Sequence, residues 1–272
     1  MTINCHGNLI DLTSPKVMGI LNLTPNSFYD GGKFLKDTSI LNHVDLMHRE
    51  GATFIDVGAY SSKPNAEFVN EEEELKRLIP IVSLVKKQFP KLLISIDTFR
   101  SRVAKEAIES GACMINDISA GGLDEKMMPI VAELQVPYIM MHMKGTPQTM
   151  QSLAQYVDIT KELLFYFSEK AALARSYGIN DIIIDPGFGF AKTIPHNYEI
   201  LSNLDLFKML ELPLLAGMSR KSMIYKTLNS TAEFALNGTT VLNTIALQKG
   251  ANILRVHDVK EAVECVNLLA QL

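Results

Sequence analysis

In this chain, residues able to do chemistry recur in one kind of place, just after or at the end of a short apolar run. Asn22 follows VMGIL, Asp56 follows TFI, Asp97 follows LLISI and Asn116 follows CMI. His142 closes PYIMM, Asp185 closes DIII, Ser219 and Lys221 follow PLLAGM, and Arg255 and His257 lie within NILRVHD. Singly, any of these could cap a helix or start a turn. Asp258 reads that way, with Glu261 at capping-box spacing, and Asp56 and His142 fit either role. Together they describe one site, provided the runs are strands whose ends converge.

Two stretches say what that site could hold. Arg255 and His257 are two apart, so on a strand they point to one side. They precede a predicted helix N-terminus, where free N–H groups favour an anion. A phosphate-bearing substrate suits the pair, and a surface ion pair is the alternative. In DPGFGF, residues 185–190, Asp185 ends three isoleucines, Pro186, Gly187 and Gly189 make a tight turn, and Phe188 and Phe190 offer flat apolar surface. A buried carboxylate needs donors or loses its charge, and a ligand edge with two adjacent N–H groups would supply them. Asp97 adds an acceptor, and Asn116 an amide that both donates and accepts. With Lys221 and the aromatic rings, these residues outline a pocket for a flat heterocycle. Other chemistries find less support. The first run lacks the HxH of a barrel zinc hydrolase, and no GxSxG elbow occurs. Lys221 could form a Schiff base, but a ligand hydrogen bond explains it equally well.

The elements that must position these groups follow from periodicity. Eight Ile/Val/Leu-rich runs recur, at spacings of roughly 20–45 residues, with helix-period segments between them. They are residues 17–24, 53–60, 92–99, 113–119, 137–143, 181–188, 213–219 and 252–258. Without strict alternation they read as parallel strands covered on both faces. Met127, Ile130, Val131 and Leu134 form a helical stripe, as do Val259, Ala262, Val263 and Val266, and four glutamates from Glu71 suit a helix start. Eight strand–helix units point to an α/β fold, a (β/α)8 TIM barrel, as one domain over residues 1–272. A doubly wound open sheet is the competitor, and the missing GxGxxG turn weakens its dinucleotide-binding form.

Composition narrows the class further. The 272 residues are 47% hydrophobic with a net charge of −4, enough for a large core and without a nucleic-acid footprint. Three cysteines, widely spaced and without CxxC, read as reduced thiols in a cytoplasmic protein. No run is long enough for a secretion signal or a membrane span.

GILNLTPNSFYDGG, SIDT, NDIS, DPGFGF, GMSRKS and RVHD, in that order, resemble the dihydropteroate synthase family across about residues 17–257. The resemblance implies a (β/α)8 barrel, usually homodimeric. It implies condensation of 6-hydroxymethyl-7,8-dihydropterin diphosphate with 4-aminobenzoate, giving 7,8-dihydropteroate and pyrophosphate, with sulfonamides competing for the aminobenzoate place. By motif, Asn22 would ligate the Mg2+ that accompanies the diphosphate. Asp97, Asn116, Asp185 and Lys221 would hold the pterin ring, and Arg255 and His257 the diphosphate, aided by Ser62 and Lys63. Phe28, Pro64, Phe190 and Ser219 would shape the aminobenzoate cleft, with Ser62, Lys63 and Lys221 at its edge. Asp30 would sit near the developing cation, completing a catalytic set with Asn22, Lys221, Arg255 and His257. Loops 24–34 and 59–69 would close over the mouth and exclude water.

The chain departs from the family pattern in its loops. Ser62 stands for threonine, Lys63 for arginine, Asn65 for glycine and Asn26 for aspartate. Lys63 keeps charge without the bidentate fork. Two other readings remain: a pterin-binding methyltransferase barrel, which would use similar Asp and Asn residues without needing Asn22, the SRK stretch or the RVHD anion site, and a non-catalytic pterin-binding paralogue, which Lys63, Asn65 and Asn26 would suit.

Overall fold

The computed structural model describes residues 1–23, 33–60 and 69–272. Eight parallel strands form the centre: β3 (Lys16–Asn22), β4 (Phe54–Gly58), β5 (Leu93–Asp97), β6 (Met114–Asp117), β7 (Tyr138–Met141), β8 (Ile182–Asp185), β9 (Leu215–Ala216) and β10 (Ile253–Val256). Each falls within one of the eight apolar runs, except that β3 starts one residue earlier, at Lys16. Successive strands pair from β3 to β8, and β3 also pairs β10, which pairs β9. A parallel bridge between Ile184 and Leu214 meets the far edge, and the Ile184 N–H donates to the Pro213 carbonyl at 2.9 Å. That closure makes a barrel and rules out the open sheet.

Helices surround it: α1 (Lys33–Arg49), α2 (Glu71–Gln88), α3 (Ser101–Glu109), α4 (Met127–Leu134), α5 (Ile159–Ser176), α6 (Ile194–Ser202), α7 (Ser222–Thr227), α8 (Leu236–Gln248) and α9 (Val259–Leu269). The seventh unit carries both α7 and α8. Asn70 caps α2 by accepting from the Glu73 N–H at 2.9 Å, so the four glutamates lie in its first turn. The predicted stripes lie inward, with Met127 and Val131 of α4, and Val259 and Ala262 of α9, buried. Asp258 holds the cap position of α9 but makes no capping bond. Its carboxylate instead takes two hydrogen bonds from Arg220, each 2.8 Å. A paired guanidinium outcompetes the helix's own N–H groups for the same oxygens.

Strand parity divides the interior in two. Val17, Ile55, Ile94, Ile115, Ile182 and Leu254 pack outward in the core shared with the helices. Their neighbours Met18, Phe54, Met114, Ile139, Ile183, Leu215 and Ile253 pack inward in a second core. That inner core is finished by the N-terminal hairpin of β1 (Thr2–Cys5) and β2 (Asn8–Asp11), whose Ile3, Cys5 and Ile10 join it with Leu12. His6 and Gly7 turn the hairpin at φ 50° and 83°, the two positive values a two-residue I′ turn requires. The hairpin therefore plugs the N-terminal end of the barrel. It also brings Cys5 beside Cys113, two reduced thiols far apart in sequence.

Ile3→Ala tests the plug. Ile3 is buried in the inner core, so the truncation should cost about 2–5 kcal/mol of unfolding free energy in urea. A change within about 0.5 kcal/mol would place the hairpin outside the cooperative unit.

Candidate active site

One step of the pleat above the inner core, the lining changes from apolar to polar. Phe54 is followed two residues on by Asp56, Met114 by Asn116, Ile183 by Asp185 and Ile253 by Arg255. From Leu93 the same parity runs through Ser95 to Asp97. Registry sets these groups side by side, with Asp97 opposite both Gly58 and Asn116. Space at Gly58 is tight, since a Cβ there would lie 3.2 Å from that of Asp97.

Arg255 organises the mouth. Its Nε donates to Asp56 Oδ2 and its Nη2 to Asp97 Oδ2, both at 2.7 Å. Asn116 Nδ2 donates to the same Asp56 oxygen at 2.9 Å. Asp56 is fully buried, and its Oδ1 has no hydrogen-bond partner among the described residues. Asp56 is thus neither cap nor turn; it sits inside a strand as Arg255's anchor. The surface-pair alternative for Arg255 fails, since its partners line the barrel. Asp185 ends β8, buried, with Oδ1 accepting the Gly187 N–H at 2.8 Å. Lys221 donates from Nζ to the Phe188 carbonyl and lies 5.0 Å from the centre of the Phe190 ring. Phe188 and Phe190 part company here. Phe188 is wholly buried in the outer core, so only Phe190 offers the flat surface expected of both, within an apolar wall that includes Ile118, Met141 and Met143.

Burial and charge set the protonation of these groups. Burial pushes the Asp97 carboxyl up to about 7, Arg255 opposes it, and Asp56 adds to it. Burial also raises Asp185, against the pull of Lys221. Lys221 is pushed down to about 8 by burial and by Arg255, with Asp185 opposing. For Arg255 burial works against the charge, but Asp56 and Asp97 outweigh it and hold the pKa above its ordinary value. Three carboxylates and two cations therefore share the mouth, and a ligand bringing N–H donors would complete the set.

The remaining expected residues are placed as follows. Asn22 ends β3 half-buried. Ser219 is buried, its Oγ 3.1 Å from His257 Nδ1 and accepting the His257 N–H at 3.2 Å, so the two form one unit ahead of α9. Arg255 and His257 keep one parity, yet the guanidinium meets carboxylates while His257 meets Ser219. His142 is buried at the end of β7, its ring edge-on to Tyr166 at 4.8 Å, and serves neither cap nor turn. Phe28, Asp30, Ser62, Lys63 and Pro64 lie outside the described residues, as do Asn26 and Asn65. Sequence reasoning passed over Lys192, whose burial no spacing revealed, and Ile118 and Met141, which read as ordinary core.

A family model described as "Pterin binding enzyme" matches residues 18–257. The chain belongs to the pterin-binding enzyme family. The dihydropteroate synthase of Escherichia coli K12 is 43% identical to it over 272 residues, 99% of this chain and 95% of that one. A Yersinia pestis dihydropteroate synthase, solved with a sulfonamide drug complex, superposes with a TM-score of 0.93 at 39% identity, covering 100% of this chain and 98% of that one. A Xanthomonas albilineans dihydropteroate synthase solved with 7,8-dihydropteroate gives a TM-score of 0.89 at 34% identity, covering 100% and 98%.

Among the described residues of this pterin-binding barrel, no group of three or more His, Cys, Asp or Glu could hold an ion. Asp56 and Asp97 are engaged by Arg255. Asn22 remains a hard oxygen donor at the mouth. One amide oxygen suits Mg2+, which keeps several waters and relies on substrate phosphates for its other ligands.

Asp97, half-buried at the end of β5, gives a pH signature. A carboxyl raised from 3.8 to about 7 on folding binds its proton more tightly when folded, so its contribution to stability declines as pH rises through that interval. Carboxyl-carbon NMR should show one group titrating near pH 7 that disappears in Asp97→Asn. If all carboxyls titrate below about 5, the ordinary range, the burial argument is wrong.

Proposed function

We propose that this chain is a dihydropteroate synthase, a transferase of folate biosynthesis that joins 6-hydroxymethyl-7,8-dihydropterin diphosphate to 4-aminobenzoate. The observation carrying it is the convergence of Asp97, Asn116, Asp185 and Lys221 around Arg255, beside the exposed face of Phe190. They lie in a chain 43% identical to a dihydropteroate synthase. In this reading Asp185 and Asn116 meet the donor–acceptor edge of the pterin, Asp97 takes a ring N–H and Lys221 donates to a ring acceptor, while Phe190 faces the 4-aminobenzoate. The barrel wall of Ile118 and Met141 gives the ring its apolar contact.

The reaction then needs positioning more than proton transfer. The carbon–oxygen bond between the pterin methylene and the diphosphate breaks, and its electron pair leaves with the oxygen. The dihydropterin ring delocalises the positive charge left on the methylene carbon. The aminobenzoate nitrogen, neutral at pH 7, gives its lone pair to that carbon and then sheds a proton to solvent or to pyrophosphate. Arg255 and His257, ahead of the α9 N-terminus, favour the departing anion. Mg2+, held by Asn22 together with the diphosphate, would supply further charge neutralisation to the leaving group. Loop residues Phe28, Asp30, Ser62, Lys63 and Pro64 are proposed to close the cleft and keep water from capturing the cation. We further propose a cytoplasmic, homodimeric enzyme of one domain, acting on small molecules and on neither nucleic acid nor membrane. No helix among the described residues is long and apolar enough to cross a membrane. Exposed Leu228, Phe234 and Val241 around α7 and α8 would suit a subunit contact.

Incubating the protein with the pterin diphosphate, 4-aminobenzoate and Mg2+ should release pyrophosphate and dihydropteroate in equal amounts. Pterin binding with no pyrophosphate release would instead mean a non-catalytic paralogue, and methyl transfer from methyltetrahydrofolate a methyltransferase. Asp185→Asn should weaken pterin binding by ~10^4, because an unmatched buried polar edge carries that penalty; retained affinity would refute the contact. Asn22→Ala should stay folded and lose turnover at limiting Mg2+, whereas unchanged kinetics there would remove its metal role.

A further inference from the structure

Lys192 is a buried lysine with no carboxylate bonded to it among the described residues. Its Nζ lies 2.9 Å from the Phe190 carbonyl, 3.2 Å from the His142 carbonyl and 3.0 Å from His142 Nδ1. Nζ donates to the two carbonyl oxygens, and His142 Nδ1 completes a set of three acceptors when the imidazole proton is on Nε2. Burying a cation is expensive, and burial duly pushes the Lys192 pKa well below its ordinary value, with Asp185 opposing and Lys221 and Lys144 adding. Such an expense within the DPGFGFAK turn calls for a reason.

The turn itself supplies one. Gly187, Gly189 and Ala191 all have positive φ, at 70°, 84° and 49°. A Cβ on Gly187 would come within 2.3 Å of the His142 carbonyl oxygen, so the turn is pressed against the end of β7. Its polar groups are tied in place: the Phe190 N–H to the Gly187 carbonyl at 3.0 Å, the Gly189 N–H to Asn197 Oδ1 at 2.7 Å and the Ala191 carbonyl to the Tyr156 hydroxyl at 2.9 Å. Lys192 is the tie that reaches across from Phe190 to β7.

We propose that Lys192 is a positioning residue for the synthase reaction, its Nζ clamping the Phe190 carbonyl to His142 and so fixing the Phe190 face against which 4-aminobenzoate packs. The inference rests on the functional reading above. It extends to His142: with Nδ1 accepting from Lys192, the imidazole carries its proton on Nε2. That ring stays neutral, since burial, with Lys192 and Lys144, pushes its pKa down to about 2. The pterin edge is held by other means, Asp97 by Arg255, Asn116 by Asp56 and Asp185 by the Gly187 N–H. Losing the clamp should therefore fall on the second substrate.

Lys192→Met keeps the length of the side chain and removes the donors. In the folded variant, judged by its thermal transition, the KM for 4-aminobenzoate should rise about tenfold, while that for the pterin diphosphate changes less than about threefold. Equal rises in both constants, or no change in either, would overturn the clamp. Should the variant not fold, nitrogen-15 NMR of the wild-type histidines decides: His142 must show an unprotonated Nδ1 and a protonated Nε2 at neutral pH. A proton on Nδ1 contradicts the proposal. Failure of the synthase reading would show separately, as wild-type protein without turnover, and leaves the NMR criterion intact.

Discussion

A guanidinium held between two carboxylates inside the barrel mouth is the interaction on which the site depends. Arg255 rises from β10 and reaches Asp56 on β4 and Asp97 on β5, with Asn116 of β6 joined through Asp56. In a medium of intermediate dielectric, two unit charges 4 Å apart attract by about 4 kcal/mol, which offsets much of the cost of burying them. Removing one partner of such a pair strands the other, at a cost of about 3–5 kcal/mol. The network cannot be pared back one residue at a time. It also fixes the rotamers of Arg255, Asp97 and Asn116 before any substrate arrives, which is how a binding site lowers the entropic cost of recognition.

The same network leaves the mouth short of donors. Asp56 Oδ1 is buried and unpartnered among the described residues, and burial raises both Asp97 and Asp185. Each is an acceptor held in readiness at some expense, a pattern typical of functional sites. For Asp97 and Asp185, the proposed nitrogen-rich ring edge would supply the missing donors, whereas a hydrocarbon or a carboxylate would not. The chemistry proposed for the site needs no base, which agrees with a mouth whose groups are arranged for hydrogen bonding and charge.

Much of this was legible in the residues. Eight apolar runs became eight strands because parallel barrel strands are buried on both faces and carry few polar interruptions before their ends. Asp97, Asn116, Asp185, Lys221 and Arg255 came together because the barrel gathers those ends. Other features escaped for physical reasons. Asp56 fitted a turn residue and a site residue equally well in sequence, since its meaning depends on a partner 199 residues away. Asp258 had capping spacing, but Arg220 claimed its carboxylate. Phe188 and Phe190 look alike in sequence, yet the positive-φ glycines on either side of Phe188 turn it into the core and leave Phe190 at the mouth. The hairpin plug hides in a short stretch of unremarkable polarity, with a His-Gly turn where Asn-Gly is the stronger signal.

A crystal structure of the protein with 6-hydroxymethyl-7,8-dihydropterin diphosphate tests the central claim most directly. The bicyclic ring should lie in the mouth, its polar edge against Asp97, Asn116 and Asp185, with Arg255 still anchored on Asp56 and the diphosphate toward Asn22 and His257. A ring bound elsewhere, or an Arg255 released from Asp56 into solvent, would contradict it.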